Sequence, residues 1–264
     1  MKFLVQWNLM NENSLQLVKS AIYNYPHEYV EIVPFSRDIN PNPIGKDYIP
    51  YGSTLMTTLG LDYEWVGLAF DLSKFNYEIA LKNRDDMLNS GVDTLDNILK
   101  YNNYSSEFKS RDWFIRPSDD LKQFSGQVMN GQELLDFLTD AKECASSGSY
   151  HLSGDTKIVI DFPKDIQAEW RWFVVGGKVI SGSMYRFKGN LQKAKELDKD
   201  AIAEAQFYAD KWLPNENCVM DLALVNDEIK VIEFNCINAS GFYEHDVDAI
   251  FKALWEYYES KIKN

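Results

Sequence analysis

Apolar residues recur at helical spacing in one early stretch: Leu15, Val18 and Ile22 fall on one face of residues 12–23 and predict an amphipathic helix. Residues 3–9 and 29–35 lack that spacing and read as strands on either side of it. Pro41, Pro43 and Pro50 then mark an irregular loop, and residues 65–70 predict a third strand. The first 85 residues therefore read as a small α/β lobe. Residues 86–104 carry the spacing of helical turns. A strand over 112–116 is stopped by Pro117, and a helix over 132–144 presents Leu134, Leu135 and Leu138. After a loop at 146–149, an apolar strand over 157–162 ends at Pro163.

The last hundred residues are the most legible. Strands over 168–175 and 178–186 flank Gly176-Gly177, the signature of a two-residue type I′ hairpin. A helix over 193–212 is ended by Pro214. A second hairpin joins 218–225 to 229–235 through Asn226-Asp227-Glu228, and a closing helix over 246–261 aligns Ile250, Leu254 and Tyr257. Strands paired largely antiparallel and interspersed with helices define an α+β, or mixed α/β, chain.

Composition narrows the function. The 264 residues carry 27 basic and 40 acidic side chains, a net charge of −13, and 45% are hydrophobic. That is ordinary globular composition, and its sign argues against a nucleic-acid or anionic-membrane binder. No apolar run approaches the length of a membrane span, and the N-terminal one turns polar before a signal peptide could form. The expectation is a soluble cytoplasmic protein. Three scattered cysteines, Cys144, Cys218 and Cys236, supply neither a disulfide framework nor a metal knuckle.

The informative positions are charges set inside apolar strands, because an unpaired buried charge is costly. Asp221 stands alone in CVMDLALV, while Glu233 and Asn235, two apart in VIEFNC, leave their strand on one face. A three-residue loop over 226–228 would set Asp221 opposite Glu233; a two-residue loop would send it to the other face. Two carboxylates and an amide oxygen form the donor set of a hard cation such as Mg²⁺. The plain alternative is a half-exposed hairpin with solvent-facing acids. In the other hairpin, pairing counted from Gly176-Gly177 puts Arg171 opposite Gly182 and Glu169 opposite Met184. Glu169, Arg171 and Arg186 then project from one side, and Trp170, Trp172, Val174, Val179 and Tyr185 from a packed side. Two arginines suit phosphate oxygens, although an ion pair with Glu169 would explain them as well. The strand FIRP ends in Arg116 and leads to a loop with Lys122, Ser125 and Gly126, able to drape N–H groups over phosphates. The turn in IVIDFPKD could offer backbone groups to a purine edge.

In this order the features resemble the ATP-grasp family, which holds ATP between two α+β lobes and Mg²⁺ on a C-terminal hairpin. DLALVNDEIKVIEFN resembles the metal hairpin, implying Asp221, Glu233 and Asn235 as metal positions. EWRWFVVGGKVISGSMYR resembles the hairpin before it, with Glu169 at the ribose and Arg171 and Arg186 at the phosphates or an acyl phosphate. FIRP resembles the strand that usually ends in the second phosphate lysine, here Arg116. That replacement is similar to a divergent clade comprising phage and bacterial proteins and a eukaryotic cell-division-cycle protein that assembles an initiation factor. IPYGSTLM, MLN, DDLKQFSG and EFNCINASGFYEHD share this likeness to the prokaryotic members. The resemblance implies lobes over 1–85, 86–162 and 163–264, and an ATP- and Mg²⁺-dependent carboxylate–amine ligase acting on a protein or peptide, with Lys122 also at the nucleotide. A nucleotide-binding assembly factor that performs no ligation is the alternative. Asn238, Ser240, Tyr243 and His245 would border the acceptor, and the net negative charge suits a basic partner. Lys74, Lys82 and Arg84 are the basic residues from which a first phosphate lysine would come. Asp221→Ala is expected to abolish metal-dependent nucleotide binding and to spare the fold.

Overall fold

A computed structural model describes residues 1–33, 36–119, 123–146 and 152–263. The N-terminal sheet is built from β1 (Lys2–Gln6), β2 (His27–Ile32), β3 (Ile39–Asn40) and β4 (Tyr48–Tyr51), in the order β3-β2-β1-β4. The strands β2 and β4 run parallel to β1, whose Phe3, Leu4 and Val5 are fully buried, as expected of a parallel strand covered on both faces. Helix α1 (Glu12–Ile22) starts where the Asn11 side chain accepts the Ser14 N–H at 2.9 Å. The third apolar run, over 65–70, does not form a strand. The fourth strand is β4, with Pro50 on a sheet edge where its missing N–H breaks no ladder. Trp65 and Leu68 are buried as loop residues, and α2 (Thr54–Asp62) follows β4. Phe35, at the end of the second expected strand, lies outside the described residues.

A short helix, α3 (Tyr77–Asn83), leads to the second sheet. It comprises β5 (Val92–Thr94), β6 (Asp112–Pro117), β7 (Gln127–Asn130) and β8 (Lys157–Asp161), antiparallel throughout in the order β5-β8-β6-β7. Helices α4 (Leu95–Asn102), α5 (Ser106–Lys109) and α6 (Gly131–Ser146) cover it through Leu95, Ile98, Phe108, Leu134 and Leu138. The helical turns expected over 86–104 thus divide into a strand and α4, because Thr94 caps the helix by accepting the Asn97 N–H.

The third sheet joins β9 (Ala168–Val175), β10 (Lys178–Phe187), β11 (Asn190–Glu196), β12 (Cys218–Val225) and β13 (Glu228–Asn235) in the order β11-β10-β9-β12-β13. Helix α7 (Lys199–Lys211) packs on Trp172, Val174 and Met220; α8 (Val247–Lys263) packs on Phe173 and Val219 and also on Phe3 of the first sheet. The helix expected over 193–212 begins only at Lys199. Left-handed Lys188 and Gly189 (φ 48° and 77°) turn the chain back into β11, and Asp198 caps α7 by accepting the Asp200 and Ala201 N–H groups. No helix among the described residues is long and apolar enough to cross a membrane.

Candidate functional site

The β12–β13 turn is two residues long, not three. Asn226 and Asp227 both take positive φ (51° and 62°), and Val225 pairs with Glu228. Carried on without interruption, that register would place Asp221 opposite Ile232. A β-bulge intervenes: Leu222 pairs with Val231, Ile232 is the extra residue, and Asp221 pairs with Glu233. The expected juxtaposition is reached through the bulge instead of the loop. Asn235 stands next along that face, its Nδ2 3.4 Å from Asp221 Oδ2.

Bulges also reset β9–β10. Arg171 lies opposite Ser183, not Gly182, and Glu169 opposite Arg186, not Met184, because Ile180 and Tyr185 are each passed over in the pairing. Tyr185 consequently does not join the packed side. Its hydroxyl donates to Glu169 Oε2 at 2.7 Å, while Arg186 Nη1 meets Glu169 Oε1 at 3.1 Å. The Arg171 fork reaches across to β12 and donates to both oxygens of Asp221, at 2.9 and 2.7 Å. From the second sheet Arg116 extends to Glu233, Nη2 to Oε2 at 2.5 Å. Each carboxylate of the trio therefore faces one arginine fork, and the two forks come from different sheets.

Burial pushes the Asp221 carboxyl above the usual carboxylate range, aided by the charges of Glu233 and Glu169 and opposed by Arg171. For Glu233, burial acts in the same direction but is outweighed by Arg116 and Asn235, which hold it below that range. Burial likewise raises the Tyr185 phenol, with Asp221 and Glu169 adding to the effect. Three oxygen donors without sulfur or imidazole fit a hard divalent cation, and the crowding of negative charge around buried Asp221 favours one. Among the described residues no group of three or more His, Cys, Asp or Glu is placed for a metal. The trio contains two carboxylates, and an amide is its third donor.

Of the trio Glu233 lines a cleft of about 600 Å³ between the second and third sheets, with Asp221 and Asn235 buried beside it, a size suited to a small ligand such as a nucleotide. Phe114 and Arg116 of β6 form one wall, Glu169, Tyr185 and Arg186 the other, and Glu233 the base; Ser125 and Gly126 lie at its border. Lys122 lies outside the described residues. Lys164 and Asn89 also line the cleft and were not singled out by number, although they lie in the strings IVIDFPKD and MLN. Lys164 reaches the cleft while its Nζ holds Asp161 at 3.0 Å, and Asn89 is buried at the lip. The lysine of FPKD, directly after a strand-ending proline, was the available signal for the first. Of the three candidates for a first phosphate lysine, Arg84 is consumed in the core, Lys82 pairs with Glu78 on the surface, and Lys74 borders a small pocket beside Arg116 and Glu233.

The loop after β13 is mostly structural. Asn238 is buried, accepting the Gly52 N–H at 2.9 Å and donating to Thr57 Oγ1 at 2.7 Å; Ser240 donates to the Cys236 carbonyl. Tyr243 is the member that faces the arginines: its ring stacks on Tyr185 at 5.0 Å with Arg171 5.2 Å from its centre. His245 is buried with Nδ1 3.1 Å from Ser181 Oγ, and Nε2 has no partner among the described residues. Burial, then Arg171 and Lys195, lower its pKa from 6.5 to about 3, so it stays neutral in the folded chain and is a poor proton donor. The unfolded chain binds that proton below about pH 6.5 and the folded chain does not. Stability should therefore fall as pH drops from 6.5 towards 5, by on the order of 1 kcal/mol per pH unit. Urea midpoints of His245→Gln against the parent check this, since the variant should lose that slope.

The mixed α/β arrangement of three sheets and their covering helices is that of an ATP-grasp fold. The profile of the ATP-grasp domain, R2K clade family 3, matches residues 73–254, and the chain belongs to that family. Among solved structures, the ATP-grasp ligase PsnB complexed with a minimal precursor aligns over 97% of this chain and 98% of its own, with 11% identity and a TM-score of 0.58. The macrocyclase MdnC bound with precursor peptide MdnA, from Microcystis aeruginosa MRC, aligns over 97% and 100% with 13% identity and a TM-score of 0.59. The D-alanine–D-alanine ligase of Bacillus anthracis complexed with ATP aligns over 100% and 99%, with 13% identity and a TM-score of 0.55. At such identities the likeness is one of fold. No curated protein matches the chain.

Proposed function

We propose that the protein is an ATP- and Mg²⁺-dependent carboxylate–amine ligase that works through an acyl phosphate on a protein or peptide, in the cytoplasm. The observation that carries this reading is the placement of Asp221, Glu233 and Asn235 side by side with two arginine forks, where Glu233 and Arg116 line a nucleotide-sized cleft. The neighbouring ligase structures, two of them with precursor or precursor peptide, support the substrate class. We read residues 1–85 as a lobe preceding the ATP-grasp core, and 86–162 and 163–264 as its two halves.

In this reading Asp221, Glu233 and Asn235 hold Mg²⁺, which supplies charge neutralisation at the transferring phosphoryl group. Glu169 meets the ribose, and Arg116, Lys122 and Arg186 hold phosphate oxygens. Arg171 aligns the acceptor carboxylate and stabilises charge on the phosphoryl group, as does Arg186; an arginine holds its charge through the cycle but donates no proton. A carboxylate oxygen forms a bond to the γ-phosphorus as the bond to ADP breaks. The amine then bonds to the acyl carbon, phosphate leaves, and the amine proton passes to solvent. The chain contributes mainly alignment. Tyr243, at the edge of the Arg171 guanidinium, borders the acceptor; Asn238, Ser240 and His245 support the loop that carries it. Mg·ADP calorimetry and mass spectrometry of peptide mixtures with Mg·ATP test the proposal. Binding heat together with ADP, phosphate and a new amide is the expected result, whereas binding heat without any amide would favour an assembly factor.

A further inference from the structure

The third sheet ends in an open edge beside the cleft. No strand lies beyond β11 among the described residues, and every residue from Asn190 to Lys195 is exposed. Its charge reverses that of the chain. Residues 186–196 carry four cationic side chains (Arg186, Lys188, Lys193 and Lys195) and one anionic, Glu196, in a protein of net charge −13. Lys195 is held by Asp246 at 2.8 Å, while Lys193 lies 5.6 Å from the centre of the Tyr243 ring, the same ring that meets Arg171. A groove of about 620 Å³, bordered by the cations Lys164, Arg186 and Lys188 and by the acids Asp165 and Glu169, lies at the hairpin tip. Leu191 is 70% and Phe187 40% exposed on the same hairpin. Lysines on an edge deter self-pairing, but large apolar side chains left bare between them work against that role.

We propose that β11 is the docking edge for the acceptor: an extended acidic peptide adds to it as a sixth strand, with alternate carboxylates directed to the basic hairpin and towards Arg171. The identity of the docked peptide as acceptor rests on the ligase reading above. Long-range attraction by the whole chain favours cations, but contact at this edge is decided within about a Debye length by Lys188 and Lys193, since Arg186 is held by Glu169 and Lys195 by Asp246. The backbone ladder supplies affinity that is indifferent to sequence, and the charge selects glutamate- or aspartate-rich segments.

Hydrogen–deuterium exchange on the full chain tests this with a short alternating Glu/Val peptide, its Lys/Val counterpart, a backbone N-methylated Glu/Val peptide and a single-stranded oligonucleotide. The Glu/Val peptide should slow exchange over 190–196 and bind at least about tenfold more tightly than the other three. Lys188→Glu with Lys193→Glu should remove that preference while leaving the Mg·ADP binding heat intact, which also shows that the variant is folded. Equal protection by the oligonucleotide or by the N-methylated peptide would reduce the edge to a charged surface and overturn the proposal, as would preference for the Lys/Val peptide or no protection at all. Absence of Mg·ADP heat in the parent protein would instead count against the ligase reading and leave the exchange result to stand by itself.

Discussion

Asp221→Ala should destabilise the protein by about 3 kcal/mol and abolish Mg²⁺-dependent binding of ADP. The stability loss departs from what the strand CVMDLALV implies by itself, where a misfit acid looks dispensable to the fold. In the structure Asp221 is 1% exposed, and its two oxygens take both hydrogen bonds of the Arg171 fork. Removing the carboxylate leaves a guanidinium, itself only 12% exposed, without its counter-charge. Breaking a buried pair from one side typically costs about 3–5 kcal/mol. Asp221→Asn separates the two effects. It keeps the volume and one acceptor for Arg171, so stability should fall by roughly 1 kcal/mol, yet the negative donor for a cation is gone. Urea unfolding and calorimetry with Mg·ADP read the two quantities independently. Wild-type nucleotide affinity in the asparagine variant would show that the hairpin trio is not the metal site.

The second large effect is expected far from the cleft. Arg84 has no exposed side-chain surface, and its guanidinium donates to both oxygens of Asp86, at 2.7 and 2.9 Å, and to the carbonyls of Tyr208 and Trp212 at the end of α7. Lys211 adds a third cation contact to Asp86 at 2.7 Å. Arg84→Met should cost about 3–5 kcal/mol, because it strands a buried carboxylate on Lys211 and leaves two carbonyls unmet. Arg84→Met with Asp86→Leu should recover part of that loss. The backbone of the same segment bridges to β13, Val231 N–H to Asp86 O at 2.9 Å and Leu88 N–H to Val231 O at 2.8 Å, so the strand carrying Glu233 should loosen as well. Urea midpoints of the single and double variants decide this, and a single-variant loss below about 1 kcal/mol would show the network to be incidental. Burial raises the Asp86 pKa, but Arg84 and Lys211 outweigh it and hold the carboxyl below its usual 3.8. A depressed carboxyl stabilises the fold above its unfolded pKa and ceases to do so as pH falls through the lower folded value. The acid limb of the parent's stability curve should therefore flatten in the double variant.

Arg84 also shows where a linear reading of the chain goes astray. In LKNRDDM it stands among the three basic residues considered for a phosphate site, whereas the two carbonyls it serves lie at the end of α7, more than a hundred residues away. Residues 193–196 look like the first turn of a helix because lysine, alanine and glutamate favour helices, yet the turn at Lys188-Gly189 folds them back as a strand. Pro50 argued for a loop, and only its position on a sheet edge makes a strand acceptable there. Conversely, Asp221, Glu233, Asn235, Glu169, Arg171, Arg186 and Arg116 were all visible as polar intrusions into apolar strands, since exclusion of unpaired charge from cores makes such intrusions rare.

From residues 168–264 alone come the two hairpins, the type I′ turn at Gly176-Gly177, the closing helix and the three oxygen donors of the second hairpin, because those depend on local periodicity and turn stereochemistry. Which charges meet was left to the tertiary structure. Bulges at Ile232 and Tyr185 set the faces, since a shift of one residue turns a side chain to the opposite side of a sheet. The partners Arg171–Asp221 and Arg116–Glu233 come together only when separate strands and sheets are packed, and nothing in either local sequence encodes the other's position.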